Sequence, residues 1–157
     1  MGSGGASPTV PMTGELTDKE ALTIRLALED LNTAFAHHLD HGEIEPLIDL
    51  FTADALYTHG ERISRGRAEI EQLFRNRAAK GPRTSRHLLS GLRLSIESST
   101  AAAGSSVCLS FAADGLPPKP ANPFLVADFE DRYRREDDGR WRFAERHIRR
   151  VFVGENR

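Results

Sequence analysis

Cysteine is almost missing from this chain. The one thiol, Cys108, has no internal partner, so no disulfide framework holds the fold and a reducing setting, the cytoplasm, is expected. There is no apolar run long enough for a membrane span, and the first residues lack the basic segment and apolar core of a secretory signal. Positive charge is not in excess: 21 Lys and Arg stand against 23 Asp and Glu, a net charge of −2. That removes the global field on which nucleic-acid binding relies. Internal repeats are absent, and the glycines between Gly2 and Gly5 are not followed by the strand and helix that a phosphate-cradling loop needs. What these absences leave is a small-molecule partner, with neither nucleic acid nor membrane.

What is present fits one domain. A chain of 157 residues that is 39% hydrophobic can bury one sizeable core and is short for two. Residues 1–14, small and rich in Gly and Pro, read as a disordered tail, and residues 15–154 as a single domain. Thr17-Asp18-Lys19-Glu20 has the form of a capping box and starts a helix. Ile24, Leu28, Leu31, Phe35 and Leu39 then recur at spacings of three and four, giving one buried stripe to about residue 40, where Gly42 stops it. A short helix over 43–51 follows, then a strand over 55–59, a return over 61–65 and a third helix from Gly66 to the Gly81-Pro82 break.

The remainder reads as four long strands over 87–97, 101–113, 124–135 and 140–153, separated by turn residues such as Asp138-Gly139. Helices followed by an antiparallel meander predict an α+β class, with a curved antiparallel sheet wrapped around three helices to form a cone with an internal pocket. Arginines between Arg132 and Arg150 alternate with acids, which fits a solvated or subunit-facing sheet surface. A homodimer through the sheet is expected.

Two polar residues stand out. Asp40 ends the first helix, and His87 opens the first long strand; a carboxylate and an imidazole that meet in an enclosed pocket make a tunable general base. Both have a phase problem. Continuing the Ile24–Leu39 stripe puts Asp40 on the polar side unless the last helical turn loosens. His87 and Leu89 fall opposite Leu92, Leu94 and Ile96 unless a bulge at Ser90-Gly91 brings all five to one face. The plainer reading is helix-ending chemistry for Asp40 and a satisfied strand histidine for His87.

Tyr57 and His59 share a strand face and can orient a ligand oxygen, and Phe35 is grouped with them as a substrate contact. Asp131, between Phe129 and Tyr133, is either a pocket acid or the partner of an Arg on a neighbouring strand. His147 and Arg149, as a pair on the last strand, could reach the cavity mouth, but Trp141 and Phe143 on the same face argue mainly for packing. His37 and His41, one helical turn apart, invite a metal reading, but no second ligand motif accompanies them and no metal is expected. Cys108, mid-strand among small residues, reads as a core thiol.

Several local signatures occur in this order: Leu50-Phe51-Thr52-Ala53-Asp54-Ala55, then Gly66-Arg67-Ala68-Glu69-Ile70, Ser85-Arg86-His87-Leu88-Leu89-Ser90, and Phe129 to Arg135 followed by Asp138-Gly139-Arg140-Trp141. Together they resemble the SnoaL-like branch of the nuclear transport factor 2-like superfamily, over nearly all of residues 16–152. Within it the chain looks most like the scytalone dehydratase, bile-acid dehydratase and dehydrochlorinase group. That resemblance implies an Asp–His pair at Asp40 and His87 and a pocket position at His59. The chain departs from scytalone dehydratase on the second long strand, where Phe111, Ala112 and Ala113 occupy the place of a further histidine. It departs again at Leu39, where that enzyme has a Tyr.

Two functions of different class follow. One is a cofactor-independent lyase or isomerase for a small, apolar, oxygenated substrate, a dehydratase by preference and a polyketide-type cyclase as the alternative. The other is a noncatalytic ligand-binding or dimerisation domain.

Overall fold

The computed structural model describes residues 15–155; the tail expected over residues 1–14 lies outside them. Helix α1 (Asp18–His41) opens on the capping box: Thr17 Oγ1 accepts from the Glu20 amide at 3.2 Å, and Glu20 Oε2 accepts from the Thr17 amide at 2.8 Å. It closes on Gly42, whose φ of +68° only glycine adopts without strain. There the Gly42 amide donates to the Leu39 carbonyl and the Glu43 amide to the His38 carbonyl, the reciprocal pattern of a Schellman end. Helix α2 (Ile44–Asp49), strand β1 (Phe51–His59), strand β2 (Arg62–Arg65) and helix α3 (Gly66–Ala78) follow. Phe51, expected to end the second helix, starts β1 instead and is fully buried.

Strands β3 (Arg83–Ile96), β4 (Ala101–Asp114), β5 (Leu125–Arg135) and β6 (Trp141–Val153) form the expected meander. The six strands make one curved, unclosed sheet in the order β2-β1-β6-β5-β4-β3. The class is α+β as expected, but the sheet is mixed: β1 runs parallel to β6, and every other pairing is antiparallel. The chain between these parallel neighbours runs through β2, α3, β3, β4 and β5, with α3 carrying it from one edge of the sheet at β2 to the other at β3. No helix among the described residues is long and apolar enough to cross a membrane.

Three bulges set which side chains face inward. On β3, Ser90 pairs with Val107 but Arg93 with Ser105, so β3 carries one extra residue beside Gly91, whose φ is +66°. This is the expected bulge, and it puts Ser85, His87, Leu89, Leu92, Leu94 and Ile96 on the inner face. On β6, Phe143 pairs with Tyr133 and Glu145 with Arg132, making Ala144 the extra residue; near the end, Arg150 pairs with Ala127 and Phe152 with Val126, making Val151 another. The Ala144 bulge corrects the reading of His147 and Arg149. They lie on the outer face, where Arg149 Nη2 pairs with Asp128 Oδ2 at 2.6 Å and His147 is bonded to Thr58 and Glu145.

The core contains a charged centre. Arg146 is fully buried and meets Asp131 through two hydrogen bonds, Nε to Oδ1 and Nη2 to Oδ2, each 2.8 Å. Tyr133 Oη donates to Asp131 Oδ2 at 2.9 Å, Asn32 Nδ2 donates to Tyr133 Oη at 3.0 Å, and Arg146 Nη2 donates to Asn32 Oδ1. The rings of Phe143, Phe35 and Phe129 lie 4.0, 4.3 and 4.7 Å from the guanidinium carbon. Their faces are presented to the cation, whose Nη1 has no hydrogen-bond partner.

Candidate functional site

Between the helices and the inner face of the sheet is a cavity of about 720 Å³, large enough for a compact ring system. Asp40 and His87 meet in its wall. Asp40 Oδ1 lies 2.6 Å from His87 Nδ1 and 2.8 Å from Ser85 Oγ, and Oδ2 accepts from the His87 backbone amide at 2.8 Å. The Asp40 side chain is 6% exposed and that of His87 is 20% exposed. Asp40 reaches this position without any loosening of its helix, which stays regular through His41. The residue is roughly a third of a turn round from the centre of the buried stripe. There α1 packs against β3, whose end curls round to the helix flank.

Burial by itself pushes the Asp40 carboxyl upward, but the bonds from the His87 ring, the His87 amide and Ser85 outweigh it and hold the group below its ordinary range. An ionised carboxylate only accepts, so His87 Nδ1 carries the proton it donates, and Nε2 is the ring nitrogen that Asp40 leaves unengaged. The carboxylate also sits at the negative end of the α1 dipole, where three donors and a potential imidazolium compensate it.

The other sequence candidates divide. Tyr57, His59 and Phe35 line the cavity. Burial pushes the Tyr57 hydroxyl up to about 12, so it remains a neutral donor. His59 Nε2 is buried and unpartnered; burial, then the Arg150 and Arg62 charges, lower its pKa and favour the neutral ring. Asp131 takes the second of its two expected roles, partner of an Arg on a neighbouring strand, and not that of a substrate contact: it lines no part of this cavity, and its oxygens are taken up by Arg146 and Tyr133. Nothing is left of it to bind substrate.

The rings of His37 and His41 stack with centroids 4.2 Å apart. The donor atoms of His37, His38 and Glu43 do come within 4.8 Å of one another, but His38 Nδ1 is already hydrogen-bonded to Glu43 Oε2 at 2.5 Å. Cys108 borders the cavity, and burial raises its thiol to about 11, which leaves it no thiolate at neutral pH.

Sequence reasoning missed Ser85, although it alternates with His87 on the strand and so shares its face. It also missed Asn32, a polar residue set within the apolar stripe and buried. Least visible were four arginines, Arg62, Arg77, Arg83 and Arg150, which come from separate elements to one cavity rim.

Residues 20–147 match the SnoaL-like domain family. Among curated proteins nothing matches. Solved structures share the fold at low identity. One, from Novosphingobium aromaticivorans DSM 12444 and described as a candidate scytalone dehydratase, is 22% identical with a TM-score of 0.79, over 90% of this chain and 93% of that one. LinA is 23% identical with a TM-score of 0.74, over 88% and 93% of the two chains. ActVI-ORFA from Streptomyces coelicolor is 21% identical with a TM-score of 0.69, over 83% and 99%.

Proposed function

Because the chain belongs to the SnoaL-like domain family, we propose that its cavity is the active site of a small-molecule dehydratase or isomerase in which His87 moves the proton and Asp40 positions it. The observation that carries this reading is the 2.6 Å bond between Asp40 Oδ1 and His87 Nδ1 in the wall of a largely apolar hollow. His87 Nε2 takes a proton from a carbon next to a substrate carbonyl, and Asp40 stabilises the imidazolium that forms. In dehydration the C–H electron pair becomes a C=C bond, the C–O bond to the leaving hydroxyl breaks, and the imidazolium returns its proton to that oxygen as water departs. In isomerisation the proton returns to a different carbon. No cofactor enters this scheme, since one imidazole both takes and returns the proton.

Tyr57 can hold the carbonyl oxygen by hydrogen bonding while charge develops on it. Cyclisation is the neighbouring reading, because ring closure through an enolate uses the same base. The test is elimination from a panel of β-hydroxy ketones, followed by enone absorbance. The wild type is expected to turn over at least one of them, and a His87→Ala variant to do so about 10²–10⁴ times more slowly. Equal rates in both proteins would exclude the imidazole as base.

The proposal extends to assembly as a homodimer. Leu88, Leu109, Val126 and Phe152 pair in turn across β3, β4, β5 and β6, forming one apolar row on the outer face. Leu88 is 51% and Phe152 68% exposed. A contiguous apolar row of this kind is self-complementary to a second copy related by a two-fold axis. Analytical ultracentrifugation should show a dimer for the wild type and a monomer for Leu109→Glu/Phe152→Glu; a wild-type monomer at micromolar concentration would refute it.

A further inference from the structure

The residues around the cavity are unbalanced in charge. Among the described residues Asp40 is the only carboxylate that lines it, and its oxygens are committed to His87 and Ser85; against it stand Arg62, Arg77, Arg83 and Arg150. Arg77 and Arg83 share one exposed carboxylate, Asp114, at 4.0 and 3.0 Å. Among the described residues Arg62 and Arg150 have no carboxylate partner. Burial and the neighbouring Arg83 lower the Arg77 pKa, the mark of cations crowded together.

Two of these arginines converge on His59. Arg62 is its cross-strand partner in the β1–β2 hairpin. Arg150 lies over the hairpin turn, where Gly60 leaves it room: a Cβ there would stand 3.6 Å from Arg150 Nε. His59 Nε2 is buried without a hydrogen bond. An unpartnered buried nitrogen between two unneutralised guanidiniums is costly for the empty protein and suits an oxyanion.

We infer that Arg62, Arg150 and His59 form an anion subsite and that the substrate is an oxygenated carboxylic acid, its carboxylate held at the rim. The planar guanidiniums offer paired N–H groups to two oxygens, and His59 offers one more donor. The inference rests on reading the cavity as the substrate site, and it adds a polarity to binding: anionic end at the hairpin, reacting carbon at His87.

Isothermal titration with 2-naphthoate, 2-naphthamide and coenzyme A tests it. The carboxylate is expected to bind at least about tenfold more tightly than the isosteric amide, as for a hydrogen bond to a charged group. A double variant, Arg62→Gln/Arg150→Gln, should lose that preference while keeping the circular dichroism of the wild type. His87→Ala should keep the preference, which separates failure of this inference from failure of the proton-transfer reading. Three results overturn the assignment: equal binding of naphthoate and naphthamide, or none by either; a preference unchanged in the double variant; or binding of coenzyme A but not naphthoate, which would assign the arginines to phosphates.

Discussion

An Asp131→Ala variant should lose about 3–5 kcal/mol of unfolding free energy, the usual cost of stranding one partner of a buried pair. Arg146 is fully buried with both of its bonded nitrogens directed at Asp131. Removing the carboxylate leaves a guanidinium among Phe35, Phe129 and Phe143 with only the Asn32 oxygen to receive it. Tyr133 loses its acceptor as well. A domain with a stability of about 5–15 kcal/mol cannot absorb that easily. Urea denaturation should show a large drop in midpoint at unchanged slope. The double variant Asp131→Leu/Arg146→Met should regain much of the loss, because an apolar pair of similar volume needs no desolvation of charge. If Asp131→Ala comes within 1 kcal/mol (an order-of-magnitude bound) of the wild type, the pair does not have the role assigned to it here.

The second large effect concerns rate. Asp40→Asn preserves shape but substitutes a donor for one acceptor. The remaining amide oxygen cannot serve the His87 amide, Ser85 Oγ and His87 Nδ1 together, as the two carboxylate oxygens do. With the amide NH₂ turned toward the ring, Nδ1 becomes the acceptor and the proton moves to Nε2, which removes the lone pair from the cavity. Turnover should fall about 10²–10⁴-fold, mostly in kcat. Nitrogen-15 NMR of His87 gives a substrate-free check: Nδ1 protonated in the wild type at neutral pH, Nε2 protonated in the variant. An unchanged tautomer would remove Asp40 from the positioning role.

The architecture was legible because each element has its own period. The spacing of Ile24 to Leu39 and the box at Thr17 fixed α1, and Gly91 within an alternating strand announced its bulge. What escaped did so for specific reasons. Helical periodicity reports one contact surface, whereas α1 has two, the apolar stripe and the flank against β3 that receives Asp40. Strand alternation says which face Asp131 is on but not what is opposite; its partners Arg146 and Tyr133, and Asn32 that bonds both of them, are brought together by three elements. The Ala144 bulge carries no glycine, so nothing in the sequence signalled the change of phase that moved His147 outward. The rim arginines are scattered over four elements and become a group only once the sheet has curled.

The surplus residue at Val151 ties two surfaces to one point in the chain. Its neighbour on one side, Arg150, turns into the hollow, and its neighbour on the other, Phe152, turns to the convex face. Ordinary alternation would send both the same way. Pairing all three residues in regular register would therefore carry a benzyl group inward or a guanidinium outward, whereas deleting Val151 would leave both on the faces they have. The proposed anion subsite and the proposed dimer face are thus tied to the same local irregularity.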